Sequence, residues 1–424
     1  MVDLVVRGGH VVTPAGVIDA DVGVADGVIT AVAPELPGGA RELDATGLHV
    51  LPAGLDPHVH FNEPGRTHWE GIRTGSAALA AGGFSAFFDM PLNSTPPTTD
   101  GAAFDAKLEA ARRESSVDFG LWGGLVPGAQ LEELAARGVV GLKAFMSNSG
   151  IEDFAHADDV TLYEGMATAA QLGLLVAVHA ENDALTARSR GLSVRDWMDS
   201  RPVVAELEAI GRAITYAEAT GCKLHIVHVS SGSGVGLVTA ARARGVDVTC
   251  ETCPHYLFLT PDDVEALGPI AKCAPPIRDA PEQDALWERL RGGEIDFVTS
   301  DHSPSSPELK AEEFGKAWGG ISGAQTTLEL LLGAFAVEDA AALTTRAAAR
   351  FGIPGKGVIE PGADADLALV DLDAAYTLLA ADLRYRHPVS PYVGRHLQAR
   401  VRRTLVRGRD PAPGVGRLLR PTIR

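Results

Sequence analysis

The sequence predicts an α/β protein: a (β/α)8 barrel carrying a small β-sandwich built from its two ends. Three observations lead there. First, apolar or β-branched runs recur at 52–60, 84–90, 117–122, 139–146, 174–179, 223–229, 246–250 and 296–300, and helical stretches such as "LEELAARG" and "VGLVTAARARG" fill the gaps. Strands that alternate with helices imply parallel pairing, because each crossover returns the chain to the same end of the sheet. Eight repeats over about 300 residues match a closed barrel with insertions.

The second observation is the different texture of the ends. "DLVVRGGHVVT" and "ADVGVADGVITAVA" read as short strands broken by Gly-Gly and Asp-Gly turns, and "ADADLALVDL" and "RVRRTLVRG" read likewise near the C-terminus. The third is length, since 424 residues exceed what one hydrophobic core usually organises. The expected division is 1–52 with 353–424 as the sandwich and 53–352 as the barrel. An open doubly wound sheet competes, but it favours a Gly-rich phosphate loop after the first strand, where this chain has "PHVHFNEPG". "SSGSGVG" at 230–236 lacks the dinucleotide spacing and reads as a tight strand-to-helix turn.

Composition narrows the partners. A chain that is 46% hydrophobic and 22% charged is expected to fold as a soluble globular protein. "MVDLVVRGGHVV" shows no basic segment followed by a long apolar one, and no run approaches about 18 apolar residues, so neither a signal peptide nor a membrane span is expected. The net charge of −18 argues against nucleic acid or an anionic membrane as partner, but says nothing about a site for a small-molecule substrate, which is set locally. Four cysteines are too few for a disulfide framework, and "CETC" has no second pair to complete a zinc knuckle. They read as buried thiols in a reducing, cytoplasmic compartment.

Active sites of these barrels form at the C-terminal ends of the strands. Those ends hold His58 and His60 (first strand), Lys143 (fourth), His179 (fifth), His228 (sixth) and Asp301 (eighth). His58 and His60, two residues apart, share one face of their strand. A lone strand-end histidine is usually a hydrogen-bonded core residue, but five strands ending in donors are hard to assign to packing. Four imidazoles and a carboxylate suffice for two divalent cations, with zinc, iron, cobalt and manganese all suited to the donors.

Lys143 lies in the apolar run "GVVGLKAFMS", where burial should lower its pKa and leave a neutral amine. Such an amine can add carbon dioxide to become a carbamate, N6-carboxylysine, an anionic ligand able to bridge two metals. An ion pair with Glu181 or Asp301 is the alternative; beside four histidines the bridge is favoured. His225 faces the opposite side from His228 and reads as structural, while His255 and His302 suit either supporting contacts or loop packing. Two cations about 3.5–4 Å apart lower the pKa of a shared water and polarise a carbonyl. Asp301, the one strand-end aspartate in the set, takes the acid/base role. The chemistry implied is metal-assisted hydrolysis of an amide-like bond.

"DPHVHFNEPG", "GLKAFMSNSGIEDF", "VAVHAEN", "HVSSG", "ETCPHYL", "KCAPPIR" and "SDHSP" together resemble the cyclic amidohydrolases of the amidohydrolase superfamily: dihydroorotases, hydantoinases or dihydropyrimidinases, and allantoinases. The resemblance spans essentially the whole chain. It implies His58, His60, carboxylated Lys143, His179, His228 and Asp301 as ligands of a binuclear centre, zinc foremost, and a homotetramer as the family's habit. Dihydroorotases carry Arg where Asn62 stands and commonly His where Ser305 stands, both toward a substrate carboxylate. Hydantoinases typically lack the "NEPGR" continuation. "HFNEPGRTHWEG", "FFDMPLNSTPPT" and "WGGISG" most resemble the allantoinase family, which opens the hydantoin ring of allantoin to allantoate. Asn62 and Asn93 are then expected to bond the ring amides, and the backbone at Gly319, Gly320 and Ile321 resembles that family's substrate-contact segment. A hydantoinase, dihydropyrimidinase or dihydroorotase, or a noncatalytic scaffold on the same fold, is the rival expectation; a scaffold would be expected to lose ligands.

Overall fold

The computed structural model describes residues 2–186 and 191–422. Eight strands form the barrel: Gly54–Val59, Phe84–Asp89, Asp118–Leu121 with its continuation Gly123–Gly124, Leu142–Phe145, Leu175–His179, Lys223–Ile226, Val248–Thr252 and Phe297–Val298. Neighbours pair in chain order and in parallel. The eighth returns to the first through a Val59–His302 bridge and a 2.8 Å hydrogen bond from His60 N–H to the His302 carbonyl. All eight fall within or against the apolar runs. Trp122 splits the third, donating its backbone N–H to Asp89 and its ring N–H to the Pro57 carbonyl at 2.8 Å.

These strands are buried almost from end to end, because helices cover one face and converging side chains fill the other. The covering helices start where a short polar side chain caps the free backbone N–H groups: Asp100 before Gly101–Glu114, Asp158 before Asp159–Gln171, and Ser231 before Gly232–Ala243. The last of these is the "SSGSGVG" segment, a strand-to-helix turn as expected. Its Ser230 and Ser231 hydroxyls also hydrogen-bond Glu206.

Both ends of the chain meet in one seven-stranded sheet. Its order is 400–405, 367–371, 49–52, 4–13, 16–25 and 28–33, with 41–44 also paired to 4–13. Asp26 and Gly27, at φ 52° and 81°, make the tight turn between two of these strands, a conformation that Asp-Gly adopts readily. A buried ion cluster ties this sheet to the barrel. Lys356 Nζ lies 2.6 Å from both Asp118, on the third barrel strand, and Asp366, beside the sheet, and Arg407 also contacts Asp118. All four cysteines are free and buried, and burial pushes the Cys250 and Cys253 thiols upward. Among the described residues, no helix is long and apolar enough to cross a membrane.

Candidate active site

The expected strand-end residues converge. Asp301 Oδ1 lies 3.2 Å from His58 Nε2 and 3.4 Å from His60 Nε2. On the adjoining side His179 Nδ1 and His228 Nε2 are 2.9 Å apart. The His58 ring links the two groups, its centroid 5.4 Å from that of His228. Two of the residues hold uncommon backbone conformations, His228 at φ 39° and Asp301 at φ 41°. Such non-glycine residues persist only where surrounding contacts over-determine them.

Three of the four rings are aimed by a partner on the other nitrogen, while His228 Nδ1 has none among the described residues. Glu251 accepts from His58 Nδ1, the Leu92 carbonyl lies 3.3 Å from His60 Nδ1, and Glu181 lies 2.8 Å from His179 Nε2. Glu181 is held in turn by Arg201. Burial opposes charge on Glu181, but Arg201 and His179 outweigh it and bring its carboxyl to about 2. Both carboxylates are therefore acceptors, so His58 and His179 donate from those nitrogens and turn bare lone pairs inward. Burial lowers the pKa of both rings, disfavouring their charged forms.

Lys143 sits between these groups with no exposed surface. Its Nζ has no hydrogen-bond partner among the described residues and stands 4.9 Å from the Phe145 ring centroid. Burial brings its pKa down to about 7. Neither ion pair considered for it forms: Glu181 is engaged by His179 and Arg201, and Asp301 faces His58 and His60. A bare His58 nitrogen facing a carboxylate at 3.2 Å, and an unpartnered buried amine, are costly unless something positive and electron-accepting lies among them. The donor set thus fits divalent cations. His58, His60 and Asp301 can meet one ion, their ligand atoms lying within 4.8 Å of one another.

These residues floor a cavity of about 300 Å³. Asn93, Gly319 and Gly320 line its walls with Trp318, Trp197, Arg201 and Lys272. Gly320 permits a close approach that no other residue would, because a Cβ there would stand 2.2 Å from the Ser303 carbonyl oxygen. Asn62 and Ile321 stand behind the wall rather than on it. Asn62, at φ 63° and fully buried, donates from Nδ2 to the Pro304 carbonyl at 3.2 Å. Ile321 pairs with His302 in a short bridge. His302 Nδ1 accepts from Gly323 N–H at 3.2 Å, and His255 is buried with both ring nitrogens unpartnered among the described residues. A larger cleft of about 440 Å³ opens near the starts of the fourth to sixth strands, lined by Val139, Leu174 and Lys223, away from this chemistry.

Sequence reading missed Glu251, Arg201, Lys272 and Lys310. Lys310 Nζ donates to the carbonyls of Pro269, Trp318 and Gly320, at 3.0, 2.9 and 2.6 Å, and so pins the glycine wall. Lys272 Nζ does the same for Gly315 and Ala317, at 3.1 and 2.7 Å. One signal was present for Lys272, which stands alone in the otherwise uncharged stretch "GPIAKCAPP"; Lys310, at the end of the short turn 307–310 among Glu308, Glu312 and Glu313, gave none.

Comparison with known proteins agrees with this geometry. Residues 49–409 match the model of the amidohydrolase family. An allantoinase from Rubrobacter xylanophilus is 57% identical over 99% of this chain and 98% of its own length. One from Solibacter usitatus is 54% identical over 96% of this chain and 93% of its own. Among solved structures, the L-hydantoinase (dihydropyrimidinase) of Arthrobacter aurescens superposes with a TM-score of 0.94 at 34% identity, covering 99% of this chain and all (100%) of that one. The dihydropyrimidinase of Brevibacillus agri gives 0.91 at 30% identity, with 100% of both chains covered. The chain belongs to the amidohydrolase family, in the cyclic amidohydrolase branch that holds these relatives.

Proposed function

We propose that this protein hydrolyses the cyclic amide of allantoin to give allantoate, using a pair of divalent cations. The observation that carries the reading is the convergence of the His58, His60, His179 and His228 rings and the Asp301 carboxylate on a single cavity floor, with the buried Lys143 amine, unpartnered among the described residues, close to them. Near-full-length identity to curated allantoinases supports the choice of ring, as do the neutral Asn62 and Ser305 where a dihydroorotase carries charge.

His58, His60 and Asp301 would hold one ion, His179 and His228 the other, and Lys143, as its carbamate, would bridge them. When bound, the pair supplies hydroxide near neutral pH and polarises the scissile carbonyl; zinc is the first choice, with iron, cobalt or manganese also suited. Asp301 takes a proton from the attacking water and delivers it to the ring nitrogen as the C–N bond breaks. Burial opposes the charge on Asp301, but His58, His60 and His228 outweigh it and hold the carboxyl well below the usual range. The backbone at Gly319 and Gly320, with Asn93, orients the ring amides, while Asn62 and Ile321 set that wall from behind through Pro304 and His302. Among the described residues that line the cavity, Arg201 and Lys316 are paired with Glu181 and Glu313, and Lys272 commits its Nζ to the Gly315 and Ala317 carbonyls, an arrangement that does not set out a cation for an anionic ring.

We further read the terminal segments, 1–52 with 353–424, as a small sandwich beside the 53–352 barrel, the protein as a homotetramer, and its compartment as the reducing cytoplasm. The four unpaired buried thiols support the last. A hydantoinase reading draws on the Arthrobacter structure and differs only in the ring accepted. Turnover of allantoin, hydantoin, dihydrouracil and dihydroorotate by one metal-loaded preparation separates the two. Allantoin should be fastest; fastest turnover of dihydroorotate would overturn the neutral-pocket argument.

A further inference from the structure

The seventh barrel strand, Val248–Thr252, supplies none of the ligands assigned above, yet it places Glu251, fully buried, at the centre of them. Glu251 Oε1 accepts from His58 Nδ1 and lies 3.3 Å from the backbone N–H of His228. Its other oxygen, Oε2, is 3.1 Å from His225 Nε2, and His225 Nδ1 is 2.8 Å from the Thr249 hydroxyl. One carboxylate therefore touches a residue from each half of the proposed centre, and a second histidine fixes the carboxylate.

We infer that Glu251 is the positioning residue of the whole centre, fixing the His58 tautomer and the His228 backbone together, and that His225 acts through it. The inference rests on the reading of His58 and His228 as metal ligands. An ionised Glu251 can only accept, so the His58 proton stays on Nδ1 and the Nε2 lone pair points at Asp301. The same oxygen holds the N–H of His228, whose positive φ of 39° needs an external hold. His225 is stacked on Phe297 at 5.1 Å between centroids, so it cannot swing to join the ligands and serves as a fixed donor. Thr249, His225 and Glu251 thus form a line from the barrel interior to the metal-facing rings, and the first and sixth strands are set by the seventh.

The test uses the full chain loaded with zinc or cobalt, with chelator competition for affinity and the visible spectrum of the cobalt form for ligand geometry. Glu251→Gln keeps the shape and removes the charge. It should weaken metal binding by about 10–100-fold, the usual cost of losing a partner behind a metal-bound histidine, and shift the cobalt bands. The unfolding midpoint of the metal-free protein reports folding separately. Should Glu251→Gln fail to fold, His225→Leu decides, with a smaller loss of affinity and a shifted spectrum expected. Affinity and spectrum equal to wild type in the folded variant overturn the inference alone. A wild-type chain that binds no metal overturns it together with the reading beneath it.

Discussion

His179 Nδ1 and His228 Nε2 stand 2.9 Å apart at the barrel mouth, delivered by the fifth strand and the end of the sixth. Glu181 already accepts a hydrogen bond from the other nitrogen of His179, so that ring turns its free nitrogen inward toward His228. Replacing either ring by Ala should halve the metal content of reconstituted protein. It should also lower allantoin turnover by more than the about 10–100-fold typical of a supporting residue. Elemental analysis and initial rates on the same sample check both.

Among the described residues Lys143 Nζ has no hydrogen-bond partner, and the side chain has no exposed surface. Lys143→Ala should therefore fold as well as the parent and lose activity. Short carboxylic acids such as acetate or propionate, added with metal, should restore part of it by supplying the missing bridging oxygens. Full activity of the variant without any added acid would contradict the carbamate.

Lys356 joins the barrel to the terminal sheet by neutralising Asp118 and Asp366, both buried. Lys356→Met leaves Asp366 without its ion pair and Asp118 with Arg407 alone, and should cost about 3–5 kcal/mol of stability, as breaking a buried ion pair does. Denaturant unfolding measures the loss. Metal affinity of the folded fraction should not change, because the cluster is separate from the ligand set.

Lys310 is half-buried with its Nζ set among three backbone carbonyls, and desolvation there brings its pKa down to about 7. In the unfolded chain a lysine titrates near about 10.4. Between those values the unfolded state binds more protons, so this residue's contribution makes stability rise with pH. The difference in Tm between wild type and Lys310→Met should accordingly grow in favour of wild type as pH goes from 7 toward 10. A pH-independent difference would contradict the lowered pKa.

The barrel was legible because its strands are continuous apolar runs, and buried parallel strands must be. Even the eighth, only Phe297–Val298 in extent, was found from the apolar residues around it. The donors at the strand ends were legible because a histidine or aspartate there interrupts an apolar pattern. Glu251 and Arg201 were not, since a charge in a sequence says nothing about the group it will meet. Their partners, His58 and Glu181, come from other strands and only the closed barrel brings them together. Asn62 shows the same limit: its position after the first strand was plain, but its φ of 63° turns it to Pro304 rather than into the cavity.

The central claim is that this barrel mouth opens allantoin with two metal ions. Titrating metal-stripped protein with zinc in the presence of bicarbonate, while following allantoin ring opening, tests it most directly. The account predicts no activity at the start, a rise with added zinc, and saturation at two equivalents per chain. Full activity in the stripped protein, or none at any zinc loading, would contradict it.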